Sequence, residues 1–125
     1  MKPVILILDD QTQYLRSLER ALRGGFEVRP AANQADAIQK LTDEVAVVLT
    51  DIRLSESNDD DRQGLEFIGI ARTRWPDLPI VAMSALDSPD VEQASLSAGA
   101  NRFLRKPIVV TDLRKVLADL LAAHT

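Results

Sequence analysis

Val4-Ile5-Leu6-Ile7-Leu8-Asp9-Asp10 is an unbroken apolar run closed by two carboxylates. A strand with one wet face alternates apolar and polar residues. A continuous run of this length suits a strand covered on both faces, as in a parallel sheet. The pattern recurs. Val45-Ala46-Val47-Val48-Leu49 leads to Asp51, and Ile80-Val81-Ala82-Met83, preceded by Pro79, leads to Ser84. Phe26-Glu27-Val28 and Arg102-Phe103-Leu104 are shorter and more alternating, and read as strands nearer the edges.

Helical patterns lie between these runs. Gln11 to Arg23 puts Leu15, Leu18, Ala21 and Leu22 on one face and stops at Gly24-Gly25. Asn33 to Leu41 starts on a capping residue and carries Ala35, Ile38 and Leu41. Gly64 to Arg74 carries Leu65, Ile68 and Ala71 and ends before Trp75-Pro76. Ser88-Pro89-Asp90 combines a cap, a first-turn Pro and an acid, so it starts a helix, which should end at Gly99. Thr111 is the expected cap of the last helix, with a stripe of Leu113, Val116, Leu117, Leu120 and Leu121. Five β-α units in succession imply a mostly parallel sheet with helices on both faces. Residues 1–125 read as one domain, without repeat or linker. The polar, acidic stretch from Ser55 to Gln63 is loop material, long for a βα connection.

Composition narrows the chemistry. The chain has 125 residues, 15 basic and 19 acidic, for a net charge of −4. The mild acidity speaks against direct nucleic-acid binding. There is no Cys, which removes thiol nucleophiles, thiolate metal sites and disulfides. The single His is His124, so a histidine base is not expected. No apolar run is long enough to cross a bilayer and no signal-peptide layout opens the chain, so a cytoplasmic location is expected.

Ligands of open parallel sheets bind beyond the carboxyl ends of the strands. Asp9 and Asp10, Asp51, Ser84, and Lys106 with Pro107 all follow strands there. Three crowded carboxylates repel one another and call for a counterion. With oxygen ligands only, a hard cation is expected, Mg²⁺ first. Such a site can neutralise a phosphoryl group approaching one carboxylate, which would become an acyl phosphate. Lys106 would pair with the phosphoryl group or the carboxylate, and the Ser84 hydroxyl would bond a phosphoryl oxygen.

Taken together, Asp9-Asp10, Asp51, Ser84-Ala85 and Lys106-Pro107 in this order make the chain resemble a response regulator receiver domain of two-component signalling over essentially its whole length. Gly64-Leu65-Glu66 and Ala98-Gly99-Ala100 add to the likeness. The resemblance implies a three-layer α/β/α fold, doubly wound, with flavodoxin-like strand order 2-1-3-4-5. It implies that Asp51 is the phosphoacceptor and that Asp10 and Asp51 bind Mg²⁺ with the backbone carbonyl of Arg53. Asp9 would act on the metal mostly through water. Lys106 would contact the phosphoryl group, with a cis bond to Pro107, and Ser84 and Phe103 would be the switch pair. The implied donor is a sensor histidine kinase or a histidine phosphotransfer protein, and the implied target a downstream output domain or protein. Such a domain catalyses only its own phosphorylation and dephosphorylation, and no membrane contact is implied. A homodimer through the fourth and fifth helices is compatible with the sequence and not required by it. Two departures stand out. The loop beside the site is enlarged and acidic, with Ser at position 55 where the family pattern has Pro and Gly64 thirteen residues after Asp51, about five more than usual. Arg53, whose side chain should sit at the rim, is a bulky cation.

Each residue also has a plainer reading. Asp9-Asp10 could cap the first helix, Asp51 could be a turn residue, Phe103 could simply pack, and Asp59-Asp60-Asp61 could be solvated loop. Trp75 is expected to cover the edge of the core. Two other function classes compete: a binding module working without phosphorylation, and a small phosphohydrolase or nucleotide binder. The five glycines form no phosphate-cradling loop, which disfavours the last.

Overall fold

In the computed structural model, which describes residues 2–52, 63–85 and 89–123, five strands alternate with five helices. They are β1 (Val4–Leu8), α1 (Thr12–Leu22), β2 (Glu27–Ala31), α2 (Gln34–Lys40), β3 (Val45–Asp51), α3 (Gln63–Arg74), β4 (Ile80–Ser84), α4 (Pro89–Ala98), β5 (Arg102–Arg105) and α5 (Val110–Ala123). All ladders are parallel, in the order β2-β1-β3-β4-β5. The strand order reverses between β1 and β3, which opens a crevice at the carboxyl edge there.

The continuous apolar runs are explained by two cores. Leu6, Leu8, Val48, Ile80 and Ala82 face Ala37, Phe67, Ile68, Ala71 and Val91, contributed by α2, α3 and α4. Ile5, Ile7, Val47, Leu49, Val81 and Met83 face Leu15, Leu18, Leu22, Leu113, Leu117 and Leu120 of α1 and α5. Neighbouring residues of each strand thus feed opposite layers.

Several expected boundaries move. β2 runs to Ala31 and starts after Phe26, whose N–H still bonds Leu22 O at the end of α1. Pro30 is tolerated there because β2 is an edge strand with one hydrogen-bonding side unused. β3 and β4 extend through Asp51 and Ser84, so both chemical residues end strands rather than follow them. Asn33 caps α2, its side chain accepting the Asp36 N–H at 2.8 Å. Ala37, not Ala35, is the buried alanine of α2, because it stands four residues before buried Leu41 on the same face. Phe67, absent from the expected stripe, is the largest fully buried side chain. Thr111 does not cap α5: the helix begins at Val110, and Leu113 N–H bonds Val109 O. Trp75 is half-buried against the α2–α4 core, as expected. The Ser88 cap, the loop up to residue 62 and His124 lie outside the described residues.

Candidate functional site

Four consecutive strand ends in the sheet bring chemistry to one edge. Asp9 and Asp10 follow β1, Asp51 ends β3, Ser84 ends β4 and Lys106 follows β5. The register aligns them: Asp51 stands beside Met83, and Ser84 beside Arg105. Asp9, Asp51 and Ser84 are all buried. Burial of charge demands partners.

Lys106 is the principal one. Its Nζ lies 2.7 Å from Asp51 Oδ2, a hydrogen bond, and 2.7 Å from Asp9 Oδ2, an ion pair whose angle falls outside hydrogen-bond geometry. Burial pulls the Lys106 pKa down, but the hydrogen bond and charge of Asp51, then the close contact and charge of Asp9, outweigh it and raise the pKa above the ordinary lysine value. The Lys106–Pro107 peptide is cis, as expected, and Lys106 N–H bonds Ser84 O at 2.9 Å. Asp9 also accepts the Gln11 N–H at 2.8 Å. Asp9 thus forms a turn ahead of α1, but it does not cap the helix, whose N-cap position is Gln11, without a side-chain cap bond.

Asp9, Asp10 and Asp51 each offer an oxygen within 4.8 Å of the others. Three carboxylates and one ammonium leave a formal charge of −2 among the described residues. An all-oxygen donor set with that excess fits a hard divalent cation. The expected Arg53 carbonyl ligand lies outside the described residues. Phe103 is half-buried against the α2–α4 core.

Three residues at the site were not found by sequence reasoning. Gln11 Oε1 lies 3.4 Å from Lys106 Nζ. The Tyr14 ring lies under the same ammonium, 4.7 Å from its centroid, and the Tyr14 hydroxyl accepts the Ile108 N–H at 3.0 Å. The available signal was positional: Tyr14 lies four residues after Asp10, in the first turn of α1. The spacing of Gly64 from Asp51 and its place at a helix start do not reveal its contact with the end of β3. Its N–H bonds Ile52 O at 2.9 Å, and a Cβ there would run into Asp51 O and the Ile52 backbone. Only glycine lets α3 start so close to the end of β3.

Residues 5–118 match the family of response regulator receiver domains. The chain belongs to that family. The receiver domain is 37% identical over 114 residues to the transcriptional regulatory protein PrrA of Mycobacterium tuberculosis, covering 89% of this chain and 46% of that one. It is 34% identical over 123 residues to the transcriptional regulatory protein ZraR of Klebsiella oxytoca, covering 97% of this chain and 26% of that one. It therefore spans half or less of the length of these relatives. A CheY-like receiver domain protein from Methanospirillum hungatei superposes with a TM-score of 0.87 at 29% identity, covering 98% of this chain and 96% of that one. A response regulator from Chloroflexus aurantiacus gives 0.86 at 28% identity, with 98% and 99% covered. The fold and the two-component signalling class expected from the sequence are thereby shown. No helix among the described residues is long and apolar enough to cross a membrane.

Proposed function

We propose that this receiver domain accepts a phosphoryl group on Asp51 and uses it to change a protein-binding face. An Asp51 carboxylate oxygen attacks the phosphorus of a phosphohistidine on a sensor kinase or phosphotransfer protein. The O–P bond forms, the P–N bond breaks, and the imidazole nitrogen keeps the electron pair. Hydrolysis by water returns the carboxylate and inorganic phosphate. The domain catalyses only these two steps on itself, so it is a signalling acceptor in the cytoplasm and has no external product.

The observation that supports this most directly is the placement of Lys106 Nζ, 2.7 Å from oxygens of both Asp9 and Asp51. A fixed ammonium at the nucleophile can follow charge from the carboxylate to the incoming phosphoryl oxygens. Asp10 and Asp51 would hold Mg²⁺ directly with the Arg53 carbonyl, and Asp9 through water. When bound, the ion supplies positive charge against the phosphoryl oxygens. The Ser84 hydroxyl, ending β4 at the same edge, would bond a phosphoryl oxygen, and Phe103 on neighbouring β5 would change its packing in response. The face of α4, β5 and α5 is then the output surface, read by an output domain or partner protein.

Intact mass spectrometry with Mg²⁺ and acetyl phosphate tests this. One added phosphoryl group is expected in the unaltered chain and none in Asp51→Asn. Equal labelling of both would refute the assignment.

A further inference from the structure

Lys106 stands outside regular structure, between β5 and α5, yet its ammonium must meet two buried carboxylates. A lysine side chain has many rotamers, and nothing in its own stem selects this one. Carboxylates alone would attract the ammonium without fixing the turn that carries it.

Tyr14 contacts that turn at two points. Its ring face meets the Lys106 ammonium, with Nζ 4.7 Å from the centroid. Its hydroxyl accepts the backbone N–H of Ile108, two residues further on, at 3.0 Å. The ring and Ile108 both pack on the α1–α5 core. One side chain on α1 thus holds the lysine head and the backbone beyond it. A ring quadrupole attracts a cation without competing for the carboxylates, so the ammonium stays directed at Asp9 and Asp51.

We infer that Tyr14 is a positioning residue for Lys106, holding the ammonium where phosphoryl transfer to Asp51 needs it. This rests on the phosphoacceptor reading above. It adds to that reading a residue that acts through the lysine. Preorganisation of this kind acts on the rate of the chemical step.

The test compares rates of phosphoryl acquisition from acetyl phosphate with Mg²⁺, by intact mass, in the unaltered chain, Tyr14→Phe and Tyr14→Leu. Each substitution is repeated in a Lys106→Met background. Tyr14→Leu should slow the reaction by about three- to tenfold, and Tyr14→Phe, which keeps the ring, by less. In the Lys106→Met background both changes should shrink to less than about twofold, because Tyr14 acts through that lysine. A ring that merely packs would slow both backgrounds equally, and that outcome would overturn the inference, as would a Tyr14→Leu rate equal to that of the unaltered chain. If Tyr14→Leu does not fold, Tyr14→Phe carries the test. It must be slower than the unaltered chain, and its Ile108 amide must exchange faster with solvent. Failure of the unaltered chain to take up any phosphoryl group would instead remove the phosphoacceptor reading, and the inference with it.

Discussion

Replacing Lys106 with Met keeps the apolar stem and deletes the charge that faces Asp9 and Asp51. Asp9 is 0% and Asp51 6% exposed, so water cannot take over the role fully. Their ligand oxygens and that of Asp10 lie within 4.8 Å of one another. Two unit charges at that separation repel by about 3.5 kcal/mol at an effective dielectric of about 20, and by about 0.9 kcal/mol in bulk water. Stripping one partner from a buried ion pair costs about 3–5 kcal/mol. The site opens to solvent at Asp10, so the lower end applies, and a loss of about 3 kcal/mol is expected at pH 7 without divalent cations. Urea unfolding followed by the fluorescence of Trp75, the single tryptophan, measures it. Two controls identify the cause. Acidification should shrink the deficit, because one carboxylate of the variant can take up a proton and end the repulsion. Mg²⁺ should shrink it too, by binding the folded state alone. At high pH the sign follows from the raised Lys106 pKa. The lysine's contribution is complete below the unfolded value of about 10.4 and disappears as pH climbs through the higher folded value. The gap between wild type and Lys106→Met should therefore hold level through mildly alkaline pH and close only beyond that. A loss under about 1 kcal/mol at pH 7, or one indifferent to both acid and Mg²⁺, would refute the charge argument.

Gly64→Ala should cost about 1–3 kcal/mol, because the new Cβ meets Asp51 O and the Ile52 backbone rather than a movable side chain. Urea midpoints measure that cost, and acetyl phosphate labelling should slow in parallel as the end of β3 shifts. Phe67→Ala removes the largest fully buried side chain and should cost about 3–5 kcal/mol by the same unfolding assay. Asn33→Ala deletes the α2 cap and should cost about 1 kcal/mol, with no change in labelling rate, since α2 sends no residue to the carboxylate cluster.

The central strands were legible because Val4–Leu8, Val45–Leu49 and Ile80–Met83 are apolar on both faces, a pattern that only a sheet covered on both sides rewards. Edge strands gave weaker signals: β2 contains Arg29 and Pro30, which a central strand would exclude, so its end at Ala31 could not be read from periodicity. Side-chain caps were half legible. Asn33 does what its type suggests, whereas Thr111, equally suitable, lies inside α5 because the helix starts a residue earlier. The charged site was legible because each member ends or follows a strand and parallel topology gathers such positions. Tyr14 and Gly64 escaped for a shared reason. Their roles are contacts across the fold, a ring against an ammonium and a missing Cβ against a carbonyl, and neither leaves a local pattern in the chain.

What the site costs the fold explains why it is built from the ends of the strands. Asp9 and Ser84 are buried polar groups that follow directly on apolar strand residues, and only Thr50 separates buried Asp51 from the apolar run of β3. One residue deeper, such groups would face helices on both sides, beyond reach of a cation or a phosphoryl donor. One residue outward, water would weaken every charge interaction among them. At the edge they remain desolvated enough for Lys106 to bind tightly, while the three carboxylates and the one ammonium sum to a formal charge of −2 among the described residues. Crowding of three carboxylates works against their burial, so removing their charge relieves a cost that the fold otherwise carries. Apolar replacement of Asp9, Asp51 and Lys106 together should accordingly yield a domain at least as stable as the natural one, with the proposed acceptor lost. A sharply less stable triple variant would show that the cluster holds the fold together rather than straining it.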